Sequence, residues 1–508
     1  MKILHVIQSV SIGGASRAMI VLAKALLQYK QIQQSVISLL PAQALGINLA
    51  HKAGLVDIIE SPTPEQSEEA VRQADLIQVH FWNNPDIYRF LTLDLPPSRI
   101  LIWCHISGVQ LPHIISKSLI DFADILVATS PYTVEKLHEI KELEKYFQKN
   151  QVQSIYSVTD WERIQGLKKI SHHTFNVGYI GTTTPTKMHP NYIQICAGIQ
   201  IPNLKFIVCG NEQGFSTLKK QADKLKIREK FDFRGYVEDI KSVLGILDVF
   251  GYPLCPNNYS TAELVLQEAM LAGIPPVIFP YGGAQKTVIH QETGLIVDSE
   301  QGYQRAIEFL YHHPEERERL GNNAQKYAQE NFNPDKLAQK FVDLYQELCN
   351  YPKIEHQLYT QKKLSGAEIF IQSLGHQGEH FKQSLHSENL EELLLSDRKI
   401  ATSSPVVCHP KAGGIYHYQE FYPDDSFLQF WAGLTRQNQG DNIKAISLFT
   451  RAIELGFSHW RIYWYLLQVA EKVNNQTLVN QCVNQLKQQE KLHSEIHRLI
   501  ESYSKSSG

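Results

Sequence analysis

Several side chains that could bind an anion cluster in one short stretch of the sequence. An apolar strand, residues 249–254, leads through a polar loop to a predicted helix at residues 261–272 that stops at Gly273. Ser260 and Glu263 have the Ser-x-x-Glu spacing of a capping box, which would bind the first free amides of that helix. Open α/β sheets bind anionic ligands where a helix begins at the carboxyl end of a strand, so this stretch predicts a phosphate site.

A second acid, Glu268, lies two turns into the same predicted helix. Its face of the helix is otherwise apolar, with Leu264, Val265 and Ala272 at three- or four-residue spacing. A carboxylate on an apolar face is costly unless a partner binds it, which favours a ligand near Glu268. The alternative is that Glu268 reaches solvent and Glu263 only caps the helix. Helix geometry alone leaves both interpretations open.

This stretch resembles the donor half of the retaining, family-four type glycosyltransferases of GT-B fold. The resemblance rests on Glu268-Ala269-Met270, Gly273-Ile274-Pro275-Pro276-Val277, Gly282-Gly283 and Gly294-Leu295-Ile296-Val297. In that family two glutamates separated by seven residues bind the donor, the first through the sugar hydroxyls and the second through the ribose. Glu268 matches the second glutamate, whereas Ser260 lies at the first position. Glu263 is the nearest acid, and it either substitutes for the first glutamate or is only a cap.

The resemblance also assigns a role to a loop after an earlier strand. Residues 175–181 read as a strand, and the loop that follows contains Thr182 and Lys187. In the family an arginine and a lysine of this loop clamp the donor diphosphate. Lys187 is retained and Thr182 occupies the arginine position, so the clamp is predicted to be weaker. The alternative is that Lys187 is a solvated loop residue.

Near the start of the chain, Gly13 and Gly14 follow the first strand and open a helix that contains Arg17. Paired glycines allow close backbone approach to a ligand, although a plain tight turn would also explain them. In the family this loop lies across the cleft from the diphosphate. The resemblance therefore makes these three residues donor-binding candidates, together with Thr261, Leu264 and Val265 at the start of the later helix.

Two histidines, His80 and His105, lie where strands end, a position that can present a hydrogen-bond donor or acceptor to a ligand. A structural role is the alternative for each. His105 matches the position at which related transferases place a histidine near the transferred sugar. We therefore expect His105, Glu263 and Glu268 to form the catalytic group.

The elements that must position these residues alternate between short apolar runs and helical patterns, which indicates parallel sheets covered by helices. With the resemblance, this predicts an α/β fold: two facing Rossmann-like domains of GT-B type with a C-terminal all-α helical extension. We predict an acceptor-side domain at residues 1–167 and a donor domain at residues 168–349. An extended connector at residues 350–422 and a helical region at residues 423–508 follow, so truncation after about Cys349 should leave nucleotide binding intact.

The helical region has small, small, aromatic and small residues at tetratricopeptide positions, namely Gly433, Ala445, Phe449 and Ala452. The residues one repeat later match this pattern only poorly. Stable arrays of such repeats need about three units. The region therefore packs on the enzyme, caps itself or mediates self-association or binding of another protein. An ordinary helical hairpin remains the alternative.

Composition sets limits on function. With 508 residues, of which 43% are hydrophobic and 20% charged, the chain fits a soluble protein with several cores. The net charge of -3 gives no general attraction for nucleic acid. The seven scattered cysteines lack any Cys-x-x-Cys pair and are predicted to be reduced core residues. No long apolar run or signal peptide is found, so we expect a cytoplasmic protein that reaches the inner face of a membrane only through a partner.

Taken with the resemblance, these observations predict a retaining glycosyltransferase. Its donor would be a nucleotide sugar, and its acceptor an unidentified glycan, lipid or protein. No Asp-x-Asp motif occurs, so we expect transfer without a metal ion, and we expect no other cofactor. A catalytically weak scaffold is the second hypothesis, because Ser260 and Thr182 both depart from the family pattern.

Overall fold

A computed structural model of the chain describes residues 1–259, 261–359 and 363–490. The chain forms two compact units. The first consists of Met1–Trp82 and Arg89–Leu358, and the second of Asn83–Tyr88 and Tyr359–Gly508. The first unit contains both predicted α/β domains.

The first domain is built on a seven-stranded parallel sheet, whose central strands are mostly apolar and buried on both faces. The strands of this domain are β1 (Lys2–Ile7), β2 (Gln33–Ser38), β3 (Ile58–Glu60), β4 (Leu76–Phe81), β5 (Ile100–Cys104), β6 (Val109–Gln110), β7 (His113–Ile114), β8 (Ile125–Ala128) and β9 (Val152–Ser154). Strands β6 and β7 form a small antiparallel hairpin outside the seven-stranded sheet. Their order in the sheet is β3-β2-β1-β4-β5-β8-β9. The six predicted strands are present, and β9 is an edge strand that the sequence pattern missed.

Helices connect these strands. They are α1 (Gly14–Leu26), α2 (Ala44–Lys52), α3 (Pro64–Gln73), α4 (Pro85–Leu91), α5 (Lys117–Phe122), α6 (Pro131–His138) and α7 (Glu144–Gln148). Helix α1 begins at Gly14, with Gly13 as its N-cap residue, so the glycine pair opens this helix as predicted.

The second domain repeats the arrangement with a six-stranded parallel sheet of order β12-β11-β10-β13-β14-β15. Its strands are β10 (Phe175–Ile180), β11 (Leu204–Cys209), β12 (Phe231–Gly235), β13 (Val249–Tyr252), β14 (Pro276–Ile278) and β15 (Leu295–Ile296). Its helices are α8 (Tyr192–Ala197), α9 (Phe215–Lys224), α10 (Ile240–Leu244), α11 (Leu264–Leu271), α12 (Glu300–His312) and α13 (Pro314–Asn331).

The sequence alone predicts a helix break at Gly321, because glycine often ends helices, but the structure has no break there. Gly321 lies inside α13, and the break falls instead at His313 and Pro314. A β-carbon built on Gly321 would lie 2.3 Å from the carbonyl oxygen of Gly273, the residue that ends α11. The glycine is therefore needed for close packing of α13 against this turn.

The next helix, α14 (Pro334–Cys349), was expected to close the second domain, but it packs on the first. Its Phe341 ring lies 4.7 Å from the ring of Trp103 on β5, and Tyr345 donates a hydrogen bond to Gln78 on β4. Tyr29, just after α1, donates to Gln339 at 2.8 Å. The polypeptide therefore returns to the first sheet and ties the two α/β domains together.

All seven cysteines lie in the described part of the chain as free thiols, and all except Cys349 are buried. This confirms their prediction as reduced core residues. Within the described ranges, no helix is both long and apolar enough to cross a membrane.

The second unit is helical from much earlier than predicted. Its helices from residue 363 onward are α15 (Gly366–Ser373), α16 (Glu379–His386), α17 (Leu390–Ala401), α18 (Ile415–Phe421), α19 (Ser426–Asn438), α20 (Asn442–Glu454), α21 (Arg461–Lys472) and α22 (Gln476–Glu490). The prediction of an extended connector at residues 350–422 is therefore wrong for most of that range. Polar faces had hidden the periodicity, as in α17, where only four of its residues are buried: Leu393, Ser396, Asp397 and Ile400.

Helices α19 and α20 form the hairpin in which the tetratricopeptide pattern was found. A β-carbon on Gly433 would lie 2.5 Å from the Phe449 ring, so the small residue lets the two helices approach closely. Gly440, between them, has a φ of +79°, which favours glycine. The hairpin fits both the tetratricopeptide prediction and its plain alternative.

Candidate active site

A cleft of about 650 Å³ lies in the first unit at the carboxyl ends of strands from both sheets. Among its lining residues are all the predicted site residues that the structure describes: Gly13, Gly14, Arg17, His105, Thr182, Lys187, Thr261, Glu263, Leu264, Val265 and Glu268. Ser260 lies outside the described residues. Positions up to 255 residues apart in the sequence thus meet at the edge where parallel α/β sheets bind ligands.

The helix at this edge begins three residues later than predicted. Helix α11 starts at Leu264, and Glu263 is its N-cap residue, in a left-handed conformation with φ 44° and ψ 70°. As the N-cap residue of α11, Glu263 makes no side-chain hydrogen bond to the amides of the first helical turn, and the predicted capping box with Ser260 lies outside the described residues. The carboxylate is bound inside the cleft instead. Thr261 therefore belongs to the loop, whereas Leu264 and Val265 supply amides of the first helical turn.

Glu263 is held by a lysine and a tyrosine. Its Oε2 lies 2.9 Å from the ammonium nitrogen of Lys187 and accepts a 2.5 Å hydrogen bond from the Tyr252 hydroxyl. Lys187 also lies over the rings of Tyr252 and Tyr259, 5.9 and 5.8 Å from their centroids. Burial lowers the pKa of Lys187, but the Glu263 carboxylate outweighs it and leaves that pKa above its ordinary value. Lys187 is therefore a charged residue of the cleft and not a solvated loop lysine.

Glu268 is almost completely buried, with 2% of its surface exposed. It is not turned to solvent, because its Oε1 accepts hydrogen bonds from Arg163 and, at 2.9 Å, from the Thr159 hydroxyl. Burial raises the pKa of Glu268, whereas Arg163 and Arg17 act in the opposite direction. The acid and its two arginines thus form one electrostatic group at the side of the cleft.

Arg163 was not predicted as a site residue. It follows Asp160, whose side chain accepts a 3.1 Å hydrogen bond from the Glu162 amide and caps a short turn at Trp161–Arg163. The sequence contained no sign of Arg163, which lies 105 residues before its partner Glu268. Three cations and two carboxylates consequently line the described part of the cleft, which gives it a net charge of +1.

The glycine pair at the start of α1 is not required by the local backbone. Gly13 has φ -72° and neither glycine has a positive φ. A β-carbon on Gly14 would meet nothing within 4 Å, and one on Gly13 would make only an ordinary contact with Ser11. A tight turn therefore does not explain the pair. Arg17, one turn further, donates a 3.2 Å hydrogen bond to the hydroxyl of Tyr236 from the other domain.

Two of the predicted site residues, Thr261 and Thr182, lie in loops and make hydrogen bonds there. Thr261 lies 2.7 Å, oxygen to oxygen, from Thr129 of the first domain. Because Thr129 donates to the Cys104 carbonyl at 3.0 Å, its only hydroxyl hydrogen is used and Thr261 is the donor. The backbone carbonyl of Thr182 accepts a 2.7 Å hydrogen bond from the Tyr179 hydroxyl. Thr182 lines the cleft, at the sequence position where the family has an arginine.

His105 faces the cleft and His80 lies behind it. The Nε2 atom of His105 is 3.1 Å from Nδ1 of His80, which does not line the cavity. Burial lowers the pKa of His105 to about 3, so the ring is neutral at physiological pH. Further lining residues that were not predicted include three aromatic side chains, Trp82, Tyr252 and Tyr259. Aromatic residues are common in cores, and nothing in their spacing marks them.

Across residues 1–259, 261–359 and 363–490, no group of three or more His, Cys, Asp or Glu has an arrangement suited to a metal ion.

Comparison with solved structures defines the class of fold. The chain is similar to crystal structures of Anabaena Alr3699/HepE in complex with UDP, at 19% identity and a TM-score of 0.56 over 68% of this chain and 100% of that one. It is also similar to a glycosyltransferase from Rickettsia africae ESF-5, at 14% identity and a TM-score of 0.57 over 69% and 98% of the two chains. The fold is the GT-B arrangement of two Rossmann-like domains, as predicted, with an added helical region.

Sequence comparison concerns the family. Residues 162–327 match the family model described as glycosyl transferases group 1. N-acetyl-alpha-D-glucosaminyl L-malate synthase of Bacillus anthracis is 24% identical over 311 residues, 57% of this chain and 79% of that enzyme. D-inositol 3-phosphate glycosyltransferase of Corynebacterium glutamicum is 27% identical over 168 residues, 31% and 40% of the two chains. These matches support the group 1 glycosyltransferase family for this chain.

Proposed function

We propose that the protein transfers a sugar from a nucleotide-sugar donor to an acceptor, with retention of anomeric configuration. The observation that carries the proposal is the convergence of Arg17, Arg163 and Lys187 on one cleft, beside the start of α11. The volume of about 650 Å³ is within the range of ligand pockets that hold a molecule of this size. The family match and the UDP-bound fold relative support the same class of donor.

The leaving group is a nucleoside diphosphate, on which negative charge develops as the glycosidic bond breaks. Lys187 and the amides of Leu264 and Val265 would stabilise that charge, because they are fixed before the reaction begins. Arg163 would supply the second positive charge that the family's arginine provides, in place of Thr182. Arg17 would add to it from the opposite domain. The glycine pair before α1 would let the diphosphate approach the backbone closely.

Glu268 would bind the ribose hydroxyls of the donor. Its carboxylate is preorganised by Thr159 and Arg163, so both oxygens are fixed in direction before the nucleotide arrives. Burial would strengthen each hydrogen bond to the ribose, since the local dielectric is low.

Glu263 would take the place of the missing first glutamate and contact the donor sugar. The support for this is that its backbone conformation turns the carboxylate into the cleft and that it caps no helix amide. His105 would contact the sugar or acceptor from the first domain.

The acceptor remains a glycan, a lipid or a protein, and the helical unit is proposed as a surface for a protein partner or for self-association. We propose that transfer needs neither a metal ion nor another cofactor, and that the protein acts in the cytoplasm. The scaffold alternative is not favoured by the family match or the relatives.

A thermal-shift panel tests the donor. UDP, GDP, UDP-glucose, UDP-N-acetylglucosamine and GDP-mannose would each be titrated to about 100 times the dissociation constant, where one bound ligand stabilises the native state by about 2.7 kcal/mol. We expect one nucleotide series to raise the melting temperature of the wild type and not of Glu268→Gln. For the best donor, NMR of the product gives its anomeric configuration. No shift with any nucleotide in the panel would contradict the proposal, and an inverted product would contradict retention.

A further inference from the structure

A line of buried polar side chains runs behind His105 and takes no part in the function proposed above. His105 Nε2 lies 3.1 Å from His80 Nδ1, His80 Nε2 lies 3.0 Å from His5 Nδ1, and His5 Nε2 lies 3.2 Å from the side-chain oxygen of Gln34. The four residues come from neighbouring strands or their ends, in the order β5, β4, β1 and β2. The exposed fractions of the three histidines are 6%, 1% and 0% from the cleft inward.

The orientation of the side-chain amide of Gln34, at the end of the line furthest from the cleft, is fixed. The side-chain nitrogen of Gln34 lies 3.1 Å from the carbonyl oxygen of Ala23 in the last turn of α1. That carbonyl needs a donor, because the Leu27 amide bonds Lys24 instead. The amide group of Gln34 must therefore direct its nitrogen to Ala23 and its oxygen to His5.

The orientation of the Gln34 amide determines, ring by ring, which nitrogen of each histidine donates a hydrogen bond and which accepts one. A neutral imidazole has one donor and one acceptor nitrogen. The Gln34 oxygen accepts, so His5 Nε2 donates to it and His5 Nδ1 accepts. His80 Nε2 then donates to His5, and His80 Nδ1 accepts. His105 Nε2 in turn donates to His80, which leaves Nδ1 of His105 without a hydrogen.

All three rings are neutral in the native protein. Burial lowers the pKa of His5 to about 4 and that of His105 to about 3, and it lowers the pKa of His80 well below its ordinary value. Among the described residues, the titratable or charged groups that influence these pKa values are only the other histidines of the line, and the Trp103 ring lies 4.7 Å from that of His105. The inner end is an amide oxygen, which is a very weak base. The line therefore orients hydrogen bonds and does not conduct protons.

We infer that Gln34, His5 and His80 are positioning residues that hold His105 as its Nε2–H tautomer and offer the Nδ1 lone pair to the cleft. The ligand atom bound there must then be a hydrogen-bond donor. A sugar hydroxyl meets this requirement, whereas a carboxylate or phosphate oxygen would face a lone pair. The part of the inference that concerns the sugar rests on the proposed function, but the tautomer is independent of any ligand.

The tautomer can be measured in the full chain by ¹⁵N NMR of protein labelled at histidine, because protonated and unprotonated ring nitrogens have well-separated shifts. His105→Phe assigns the signal of interest. We expect an unprotonated Nδ1 in wild-type His105 that does not titrate between about pH 5.5 and 8. A protonated Nδ1, or a titration in that range, would overturn the inference.

Two variants at Gln34 test what sets the tautomer. Gln34→Glu retains an acceptor but adds a charge that stabilises protonated His5. That ring would then donate through both nitrogens and reverse every hydrogen bond outward, so His105 would offer an N–H to the cleft at low pH. Gln34→Met retains length without an acceptor and should give mixed tautomers at all pH values. An unchanged His105 spectrum in both folded variants would show that Gln34 does not set it, and the wild-type spectrum remains decisive if neither folds.

Binding of UDP-glucose and UDP-glucuronate, measured by calorimetry, tests the choice of ligand. We expect the wild type to bind the glucose donor at least about tenfold more tightly, since a buried unpaired polar group is strongly unfavourable. In Gln34→Glu this ratio should fall as the pH is lowered, whereas in Gln34→Met it should not depend on pH. Equal affinities with the expected spectrum would refute only the sugar hydroxyl. Failure of both ligands to bind, together with no shift for any nucleotide of the thermal-shift panel, would count against the proposed function, and the spectrum would still test the tautomer.

Discussion

Glu263 and Lys187 form an ion pair in the candidate active site, with 2.9 Å between the carboxylate oxygen and the ammonium nitrogen. The pair exists because Glu263 adopts a left-handed backbone conformation immediately before α11. That conformation is costly for a residue with a side chain, and such strain is concentrated at functional sites. In the proposed function, the same two residues bind adjacent parts of the donor, the sugar and the diphosphate.

The first prediction concerns Glu263→Gln. The change keeps the length and one oxygen but removes the charge that neutralises Lys187, whose side chain is 16% exposed. We expect turnover to fall at least about tenfold, because one charged hydrogen bond contributes about 1.5–3 kcal/mol. Initial rates measure the loss, and circular dichroism verifies the fold. Glu268→Gln is the companion variant and should weaken nucleotide binding itself. Normal turnover in Glu263→Gln beside an impaired Glu268→Gln would remove Glu263 from the mechanism.

The second prediction concerns Arg163, the residue that the sequence did not reveal. Arg163→Met should leave the buried Glu268 carboxylate without its nearest cation, at a cost of about 3–5 kcal/mol in stability, and weaken nucleotide binding. Arg163→Lys should restore only part of the affinity, because an ammonium lacks the planar guanidinium fork. Chemical denaturation and calorimetry give the two quantities. Arg319→Met, on the exposed face of α13, is the matched control. Unchanged nucleotide affinity in Arg163→Met would contradict the assignment.

The third prediction concerns metal ions. If Lys187, the arginines and the amides of α11 offset the diphosphate charge, transfer should persist in excess EDTA at nearly its full rate. Lys187→Met should reduce the rate with or without added magnesium. Complete loss in EDTA that is restored by magnesium or manganese would show that the leaving group requires a cation from solution.

The fourth prediction separates packing from helix propensity at Gly321. Replacing a glycine by alanine inside a helix usually stabilises the helix by about 1 kcal/mol. Here the new β-carbon would lie 2.3 Å from the Gly273 carbonyl oxygen, so Gly321→Ala should destabilise the protein by about 1–3 kcal/mol. Urea denaturation measures the change, with Asn322→Ala as an exposed control on the same helix. A higher denaturation midpoint for Gly321→Ala would show that the contact relaxes freely.

The fifth prediction concerns pH and the helical unit. Asp397 and Arg461 form a buried ion pair 3.1 Å apart. Burial raises the pKa of Asp397 from 3.8 to about 6, with Arg461 only partly opposing it. The folded state thus binds this proton more tightly than the unfolded state. Stability from this group is complete below about pH 4 and is lost as the pH rises through about 6.

Comparison with Asp397→Asn isolates this effect. We expect the stability advantage of the wild type over the variant to shrink by up to about 3 kcal/mol between pH 4 and pH 7, as measured by urea denaturation. An advantage that is constant, or that grows with pH, would show that the ion pair compensates fully for burial.

The sequence predicted what depends on local pattern. Strand positions such as those of β5, β8 and β13 follow from short apolar runs, and the two-domain fold follows from their alternation with helices. The cleft residues were found because a family resemblance places their motifs at strand ends. This is why Lys187 and Glu268, far apart in sequence, were expected at one site.

What the sequence missed depends on contacts between distant segments. The start of α11 is set by the partners of Glu263, not by the capping spacing, which pointed to residue 260. Arg163 becomes visible only when its turn packs against α11, and the line from Gln34 to His105 only when neighbouring strands are aligned. Gly321 illustrates a different ambiguity, because glycine marks both helix ends and close helix packing, and only the neighbouring carbonyl distinguishes them.

The helical unit also has a consequence for synthesis of the chain. Within that unit the Asn83 side chain donates a 3.0 Å hydrogen bond to the carbonyl of Ser373, a residue 290 positions later. At about 5–20 residues per second, a ribosome makes Ser373 about 15–60 s after Asn83. Residues 83–88 must wait for that interval before their unit can form. If synthesis stopped after Cys349, residues 83–88 would never meet the rest of their unit. Removal of the helical region would therefore leave this segment without its packing partners.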